Sequence, residues 1–127
     1  MRVAVGLVLL LVAGCDASEA TYPSAGSFPE VAPAAVAAAA PGRYNVTGVV
    51  TDVRSCPPAA DCLGAEGIVL AAAPDASDGV FVQARQPQQL IRGARYRMSV
   101  EVRASAARVG AGDEPVQTVT LLGYDRL

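Results

Sequence analysis

The chain of 127 residues contains no histidine, no lysine and no tryptophan. Without an imidazole group there is no histidine base, so histidine-dependent catalytic triads and imidazole metal sites are excluded. The sequence also has no glycine-rich phosphate loop and no G-x-S-x-G turn that would present a nucleophilic serine. These absences favour a protein that is not an enzyme and that needs no cofactor.

Carboxylates are the groups that remain for catalysis or metal binding. Asp75 lies close to Asp78, and Asp113 is followed directly by Glu114, so each pair offers oxygen ligands of the kind that calcium prefers. Each pair also lies beside proline or glycine, where acidic residues commonly serve turns and solubility. We therefore predict no metal site.

Hydrophobic runs long enough to cross a bilayer are missing as well. The apolar run over residues 3–13 has roughly a dozen residues, whereas a membrane-spanning helix needs about 20. Arg2 precedes this run and small residues follow it, which is the pattern of a secretory signal with its cleavage site. We interpret residues 1–14 as a signal peptide that is removed on export.

A cysteine occupies the position where cleavage would fall. The segment Val12-Ala13-Gly14-Cys15 resembles the lipobox of bacterial lipoproteins. The resemblance implies that Cys15 receives a diacylglycerol through its sulfur, becomes the mature N-terminus and is then N-acylated. The protein would then be anchored to a cell membrane and face the periplasm or the exterior, and Asp16 favours the inner membrane. The alternative is an ordinary signal peptide followed by an unmodified cysteine.

The two remaining cysteines, Cys56 and Cys62, are predicted to form a disulfide, because exported compartments are oxidising. The loop that they close is short, so the bridge would stabilise the fold by about 2 to 2.5 kcal/mol on the chain-entropy estimate. A zinc or redox site is the alternative. Zinc sites need four ligands, however, and the five intervening residues depart from the Cys-x-x-Cys spacing.

The charge balance bears on the partners. Without residues 1–14 the chain carries nine arginines against twelve acids, a side-chain charge of about −3. Such a mildly acidic balance gives no long-range attraction to nucleic acid or to an anionic lipid surface. We therefore predict a membrane partner through the lipid anchor, an envelope protein as the second partner, and no nucleic acid.

The segment after Cys15 is predicted to be a tether. Residues 16–41 are rich in alanine, serine and proline and show no apolar periodicity. As a flexible coil these 26 residues would span about 25 to 30 Å. The alanine-rich stretch at residues 34–40 could form two helical turns, but an isolated helix of that length is marginal in water. We predict a lipidated cysteine and disordered tether over residues 15–41 and a folded domain over residues 42–127.

The folded domain is predicted to be all-β. The first strand is long, and its valines shift phase around Gly48, as in a strand that bends to serve two sides of a small barrel. Strands are predicted at residues 44–53, 67–73, 80–84, 95–103 and 116–124, with one short helix within residues 86–92. This order resembles a five-stranded, antiparallel OB-fold barrel, a resemblance of topology alone. Another small antiparallel barrel or sheet is the alternative.

The OB-fold resemblance implies a ligand face on strands two and three, bordered by the loops that join strands one to two and four to five. Here these loops are residues 57–61 and 105–115. The candidate ligand-binding residues are Phe81, Arg95, Arg97 and Arg108. The arginines of the fourth strand alternate with apolar residues and share their face with Glu101, a pattern that is also typical of a solvated, partly ion-paired surface.

These features together predict a non-catalytic, lipid-anchored envelope protein whose OB-like domain contacts another protein. The combination of an anchor, a spacer and a small domain without catalytic residues favours this function. The alternative is a binding module for a small molecule, glycan or peptide that uses the two loops named above.

Overall fold

The computed structural model describes residues 22–57, 65–104 and 117–127. The elements in chain order are α1 (Pro33–Val36), β1 (Gly42–Arg54), β2 (Gly67–Ala71), β3 (Val80–Gln83), a 3-10 turn (Pro87–Gln89), β4 (Arg95–Ala104) and β5 (Gln117–Arg126). The interpreted signal peptide, residues 1–14, and the proposed lipid site, Cys15, lie outside the described residues.

The five strands form a closed barrel in the order β1-β2-β3-β5-β4, with β4 pairing back to β1. The predicted all-β barrel of five strands is therefore confirmed and is consistent with an OB-like fold. Four of the strand pairs are antiparallel, and β3 with β5 is parallel. A closed ring with an odd number of strands cannot alternate direction throughout, so the predicted antiparallel barrel contains this one parallel pair.

β1 changes its pairing partner directly after Gly48, the residue around which the bend was predicted. Residues 42–49 of β1 pair with β4, and residues 49–54 pair with β2, so one strand serves both sides of the barrel. A Cβ atom at Gly48 would lie 2.5 Å from the carbonyl oxygen of Ala71, which explains why a side chain is not tolerated there. A bulge between Val50 and Asp52 then shifts the register against β2.

The core lies inside the barrel and follows the predicted alternation of β4. Apolar residues of β4 point inward, while its charged residues point outward, as a strand with one buried and one wet face requires. The largest fully buried hydrophobic side chains are Val36, Val46, Val50, Ile68, Leu70, Val82, Tyr96, Met98, Val100 and Val102. One of these, Val36, belongs to the short helix that precedes the barrel.

The predicted helix between β3 and β4 is a single 3-10 turn. Pro87 opens the turn and Leu90 is buried after it, as expected for a plug of the barrel end. The next residue, Ile91, is 49% exposed. Gly93 follows at φ +90° and donates its N–H to the carbonyl of Val50.

The segment before β1 packs against the barrel. We call residues 22–31 the strap. Val31 N–H donates to the Asn45 carbonyl at 2.9 Å, Asn45 N–H donates to Pro29 O at 2.8 Å, and Tyr124 N–H donates to Pro23 O at 2.9 Å. The expectation of a disordered tether is therefore wrong for residues 22–41, because their backbone groups bond to the barrel and Val36 enters its core.

The strap is held by a cycle of three hydrogen bonds, which we call the Asn45–Ser99 clasp. The Gly26 N–H donates to Ser99 Oγ, the Ser99 hydroxyl donates to Asn45 Oδ1, and Asn45 Nδ2 donates to the Gly26 carbonyl, each at 2.6 Å. Among the described residues, Asn45 and Ser99 are the buried polar side chains. Their burial is tolerated because the clasp satisfies both side chains.

The strap lies directly on β5 at Gly123. A Cβ atom there would lie 2.6 Å from the carbonyl oxygens of Pro23 and Ser24. Any side chain at this position would push the strap away from the barrel. Glycine is therefore required by the close approach of the two backbones.

Three tyrosines pack together where the strap begins. The ring centroids of Tyr22 and Tyr124 are 5.9 Å apart, and Tyr96 meets Tyr124 edge-on at 5.5 Å. Burial raises the pKa of the Tyr124 phenol, and the neighbouring phenols of Tyr96 and Tyr22 raise it further. The neutral form of Tyr124 is thus the form that the fold stabilises.

Replacing Ser99 with alanine should loosen the strap. The Ser99→Ala change leaves the Gly26 N–H without its acceptor and Asn45 Oδ1 without its donor, so we expect the free energy of unfolding to fall by about 2 kcal/mol. Urea unfolding measures this loss, with Ser77→Ala in an exposed turn as the matched control. Equal losses in the two variants would contradict the clasp.

Alkaline pH should destabilise the protein through Tyr124. Because its folded pKa is raised, the contribution of its neutral form is complete below the ordinary tyrosine value of about 10 and is lost as pH rises through the folded pKa. Unfolding free energies measured in this alkaline range should therefore fall more steeply with pH in the wild type than in Tyr124→Phe. Identical slopes would show that burial of this phenol has no thermodynamic effect.

Candidate functional site

The outer surface of β2 and β3, with the end of β1, carries the site that the structure supports best. Val69 pairs with Phe81 on one side and with Asp52 on the other, and the next outward positions across the three strands include Arg54 and Gln83. Paired residues share a face of a sheet, so these five side chains form one surface. We call it the Phe81 face. The strap bonds to other strands, β1, β4 and β5, whereas on this face Arg54 is exposed and the other four side chains are half-buried.

Phe81 lies at the centre of this face beneath an arginine. The guanidinium carbon of Arg54 is 5.2 Å from the centroid of the Phe81 ring, a cation–π contact. Arg54 Nε also lies 3.3 Å from a carboxylate oxygen of Asp52, so its charge is partly balanced. A Cβ atom at Gly67 would lie 2.9 Å from the ring, so the glycine makes room for Phe81 to lie along the sheet.

The chemistry of the Phe81 face suits contact rather than catalysis. Its centre is apolar, with half-buried Phe81 and Val69, and its edge carries exposed Arg54. Aromatic residues and arginine are enriched in protein interfaces and often dominate their binding energy. The carboxylate on this face, Asp52, is bonded to Arg54 and to the Val53 N–H at 3.0 Å. That pairing favours a structural role for Asp52.

The candidate residues named from the sequence do not come together. Phe81 lies on the face just described, but Arg97 lies on the outer side of β4, where its guanidinium is 2.9 Å from Glu30 of the strap. Arg95 is exposed at the first position of β4. Arg108 lies outside the described residues, as do residues 58–64 and 105–116, which contain most of the two expected binding loops.

The remaining outward charges of β4 form ion pairs with a neighbouring strand. Glu101 binds Arg103 of its own strand and lies 3.4 Å from Arg43 of β1. The hydrogen bond from Arg103 is the main cause that lowers the pKa of the Glu101 carboxyl, assisted by the charges of both arginines. Arg43, Arg103 and Arg97 therefore fit the solvated, ion-paired interpretation of β4, and exposed pairs of this kind add little stability.

A shallow cavity of about 140 Å³ lies away from the Phe81 face, beside the bulge of β1. Its lining residues are Val49, Val50, Thr51, Pro74, Arg92 and Gly93. Pockets for drug-sized ligands are usually about 300 to 1,000 Å³, so this cavity is small for that purpose.

The cysteine and metal predictions are only partly covered by the described residues. Cys56 follows β1, and its expected partner Cys62 lies outside the described residues, so their disulfide stays a prediction. Within residues 22–57, 65–104 and 117–127, no three His, Cys, Asp or Glu side chains group closely enough to hold a metal ion. No helix in the same three segments is long and apolar enough to cross a membrane.

Comparison with known proteins adds no family. No known family model matches the chain, and no curated protein matches it significantly.

One residue of the Phe81 face, Arg54, is not among the candidates that the sequence predicts. Its contact with Phe81 depends on the pairing of β1 with β2 and of β2 with β3, which places both residues on one face. Only its position at the end of the long first strand, beside the loop expected to border the ligand face, could have suggested it.

Proposed function

We propose that the protein is a non-catalytic, lipid-anchored protein of a bacterial cell envelope, whose barrel contacts another envelope protein through the Phe81 face. The anchor rests on the resemblance of Val12-Ala13-Gly14-Cys15 to a lipobox. The single observation that carries the contact is the half-buried Phe81 ring held under the exposed Arg54 side chain.

The rigidity of this face supports the proposal. Phe81 and Val69 stand on paired strands, so little backbone entropy is lost when a partner binds them. A partner that covers Phe81 also removes apolar ring surface from water, and aromatic rings bury some 150 to 250 Å² each when fully covered. The predicted Cys56–Cys62 disulfide would fix the start of the loop beside Arg54 and so the border of the face.

The second candidate function, binding of a small molecule, glycan or peptide, places its site at the loops that join β1 to β2 and β4 to β5. The described cavity does not serve it, because that cavity is small and lies at the bulge of β1. The experiment below therefore also tests this candidate function.

Crosslinking in living cells tests the proposal. We expect wild-type protein to crosslink reproducibly to one envelope protein, and Phe81→Ala to lower that yield about ten-fold or more, as truncation of a central interface residue does. Arg54→Ala should lower the yield as well. Arg43→Ala, at an exposed position on the part of β1 that pairs with β4, is the matched control for Arg54→Ala and should keep the wild-type yield.

The outcomes separate the alternatives. Equal yields from wild type and Phe81→Ala would show that this face is not the contact. Loss of the partner in Cys15→Ser would show that the anchor brings the barrel to it. If no form crosslinks reproducibly, the protein-contact function is contradicted, and a thermal-shift screen of the mature chain against glycans and peptides tests the ligand-binding candidate.

A further inference from the structure

Two large hydrophobic side chains remain exposed beside the start of β4. Ile91 is 49% exposed and Leu127 is 64% exposed, and they are the exposed large hydrophobic residues of the described segments. The Ile91 N–H donates to the Tyr96 hydroxyl at 2.9 Å, and the Leu127 N–H donates to the Arg95 carbonyl at 3.0 Å. These bonds bring both side chains to one corner of the barrel, although they lie far apart in the sequence.

Arginines without a carboxylate partner gather at the same corner. Within the described segments, four arginines form ion pairs: Arg43, Arg54, Arg97 and Arg103. Of the others in those segments, Arg92 follows Ile91, Arg95 begins β4, and Arg126 pairs with Tyr96 in the β4–β5 register. All three are exposed. We call Ile91, Arg92, Arg95, Arg126 and Leu127 the basic corner.

Tyr22, in the strap, is linked to this corner through two other tyrosine rings. The Tyr22 ring packs on Tyr124, which packs on Tyr96, and the Tyr96 hydroxyl accepts the Ile91 N–H. The Tyr22 hydroxyl also accepts the N–H of Arg85, a further exposed arginine outside the ion pairs above.

The docked strap leaves a short connection to the anchor. Six residues separate Cys15 from Tyr22, so their Cα atoms can be at most about 25 Å apart. An acylated Cys15 would thus keep Tyr22 within a few nanometres of the lipid headgroups. A free tether up to residue 41 would impose no such orientation.

We propose that the basic corner rests on the surface of an anionic lipid bilayer. This inference rests on the proposed function only for the lipid at Cys15. The binding surface itself is inferred from the described residues. Exposed apolar side chains beside arginines are suited to the boundary between headgroups and acyl chains. The arginines contact lipid phosphates, although the whole chain has a net charge of −2.

The surrounding acids define the limits of this surface. Asp125 lies next to Arg126 and pairs in register with Arg97, on the side where Arg97 also binds Glu30. Pro74 lines the cavity together with Arg92, and the residue that follows Pro74 is the exposed acid Asp75. The acyl chains supply most of the membrane affinity, and the basic corner sets the orientation.

Vesicle binding tests this surface without the lipid anchor. The mature chain with Cys15→Ser is mixed with vesicles of phosphatidylcholine and phosphatidylglycerol, or of phosphatidylcholine alone, and sedimented. We expect binding to the anionic vesicles that weakens with added salt. Each arginine at such a surface contributes about five-fold, so Arg92→Gln with Arg95→Gln should weaken binding about 25-fold.

A matched control separates local from net charge. Arg43→Gln with Arg103→Gln makes the same change in charge on the Glu101 side of the barrel and should leave binding within a few-fold of wild type. Equal losses in the two double variants would overturn the proposal, and so would equal binding to anionic and neutral vesicles. Circular dichroism confirms that each variant is folded.

A tryptophan reporter tests the orientation directly, because the chain contains no tryptophan of its own. In Ile91→Trp, or in Leu127→Trp if the first variant does not fold, anionic vesicles should shift the emission to shorter wavelength. Thr120→Trp on the outer side of β5 should show no shift. An unshifted reporter at the basic corner would overturn the proposal.

The membrane surface and the proposed protein contact can be contradicted separately. Absence of vesicle binding with successful capture of an envelope partner would remove only the basic corner as a membrane surface. Vesicle binding without a captured partner would remove the protein contact and keep the membrane surface.

Discussion

Hydrogen bonds from the strap to two buried side chains hold the segment before β1 against the barrel. Asn45 and Ser99 point away from the barrel core, yet neither is exposed, because Gly26 bonds to both of them. Burying such groups without partners would cost several kcal/mol, so the strap must lie where it does. From there the chain continues into α1 and places Val36 in the core. The barrel therefore includes the segment that precedes its first strand.

The position of the strap gives the outside of the barrel two different surfaces. One side, over β1, β4 and β5, is covered by the strap and by ion pairs such as Arg97 with Glu30. The other side, over β2 and β3, presents half-buried Phe81 under exposed Arg54. The proposed protein contact and the proposed membrane contact therefore lie on different parts of one small barrel.

The strands of this fold could be predicted from the sequence, whereas the strap could not. Alternation in β4 and the phase shift at Gly48 are local patterns with a direct structural cause. The strap binds mainly through backbone groups, which leave no hydrophobic periodicity in residues 22–31. Ser99 is 54 residues from Asn45, so the clasp appears only once β1 and β4 pair. The contact between Phe81 and Arg54 could not be predicted either, because it depends on strand register.

Amide hydrogen exchange of the mature chain shows whether the strap is part of the folded domain. The Gly26 and Val31 amides donate to Ser99 Oγ and to the Asn45 carbonyl, so we expect both to exchange slowly, with protection comparable to that of the β4 amides. Exchange of Gly26 and Val31 at the rate of an unfolded chain, while β4 amides stay protected, would contradict this expectation.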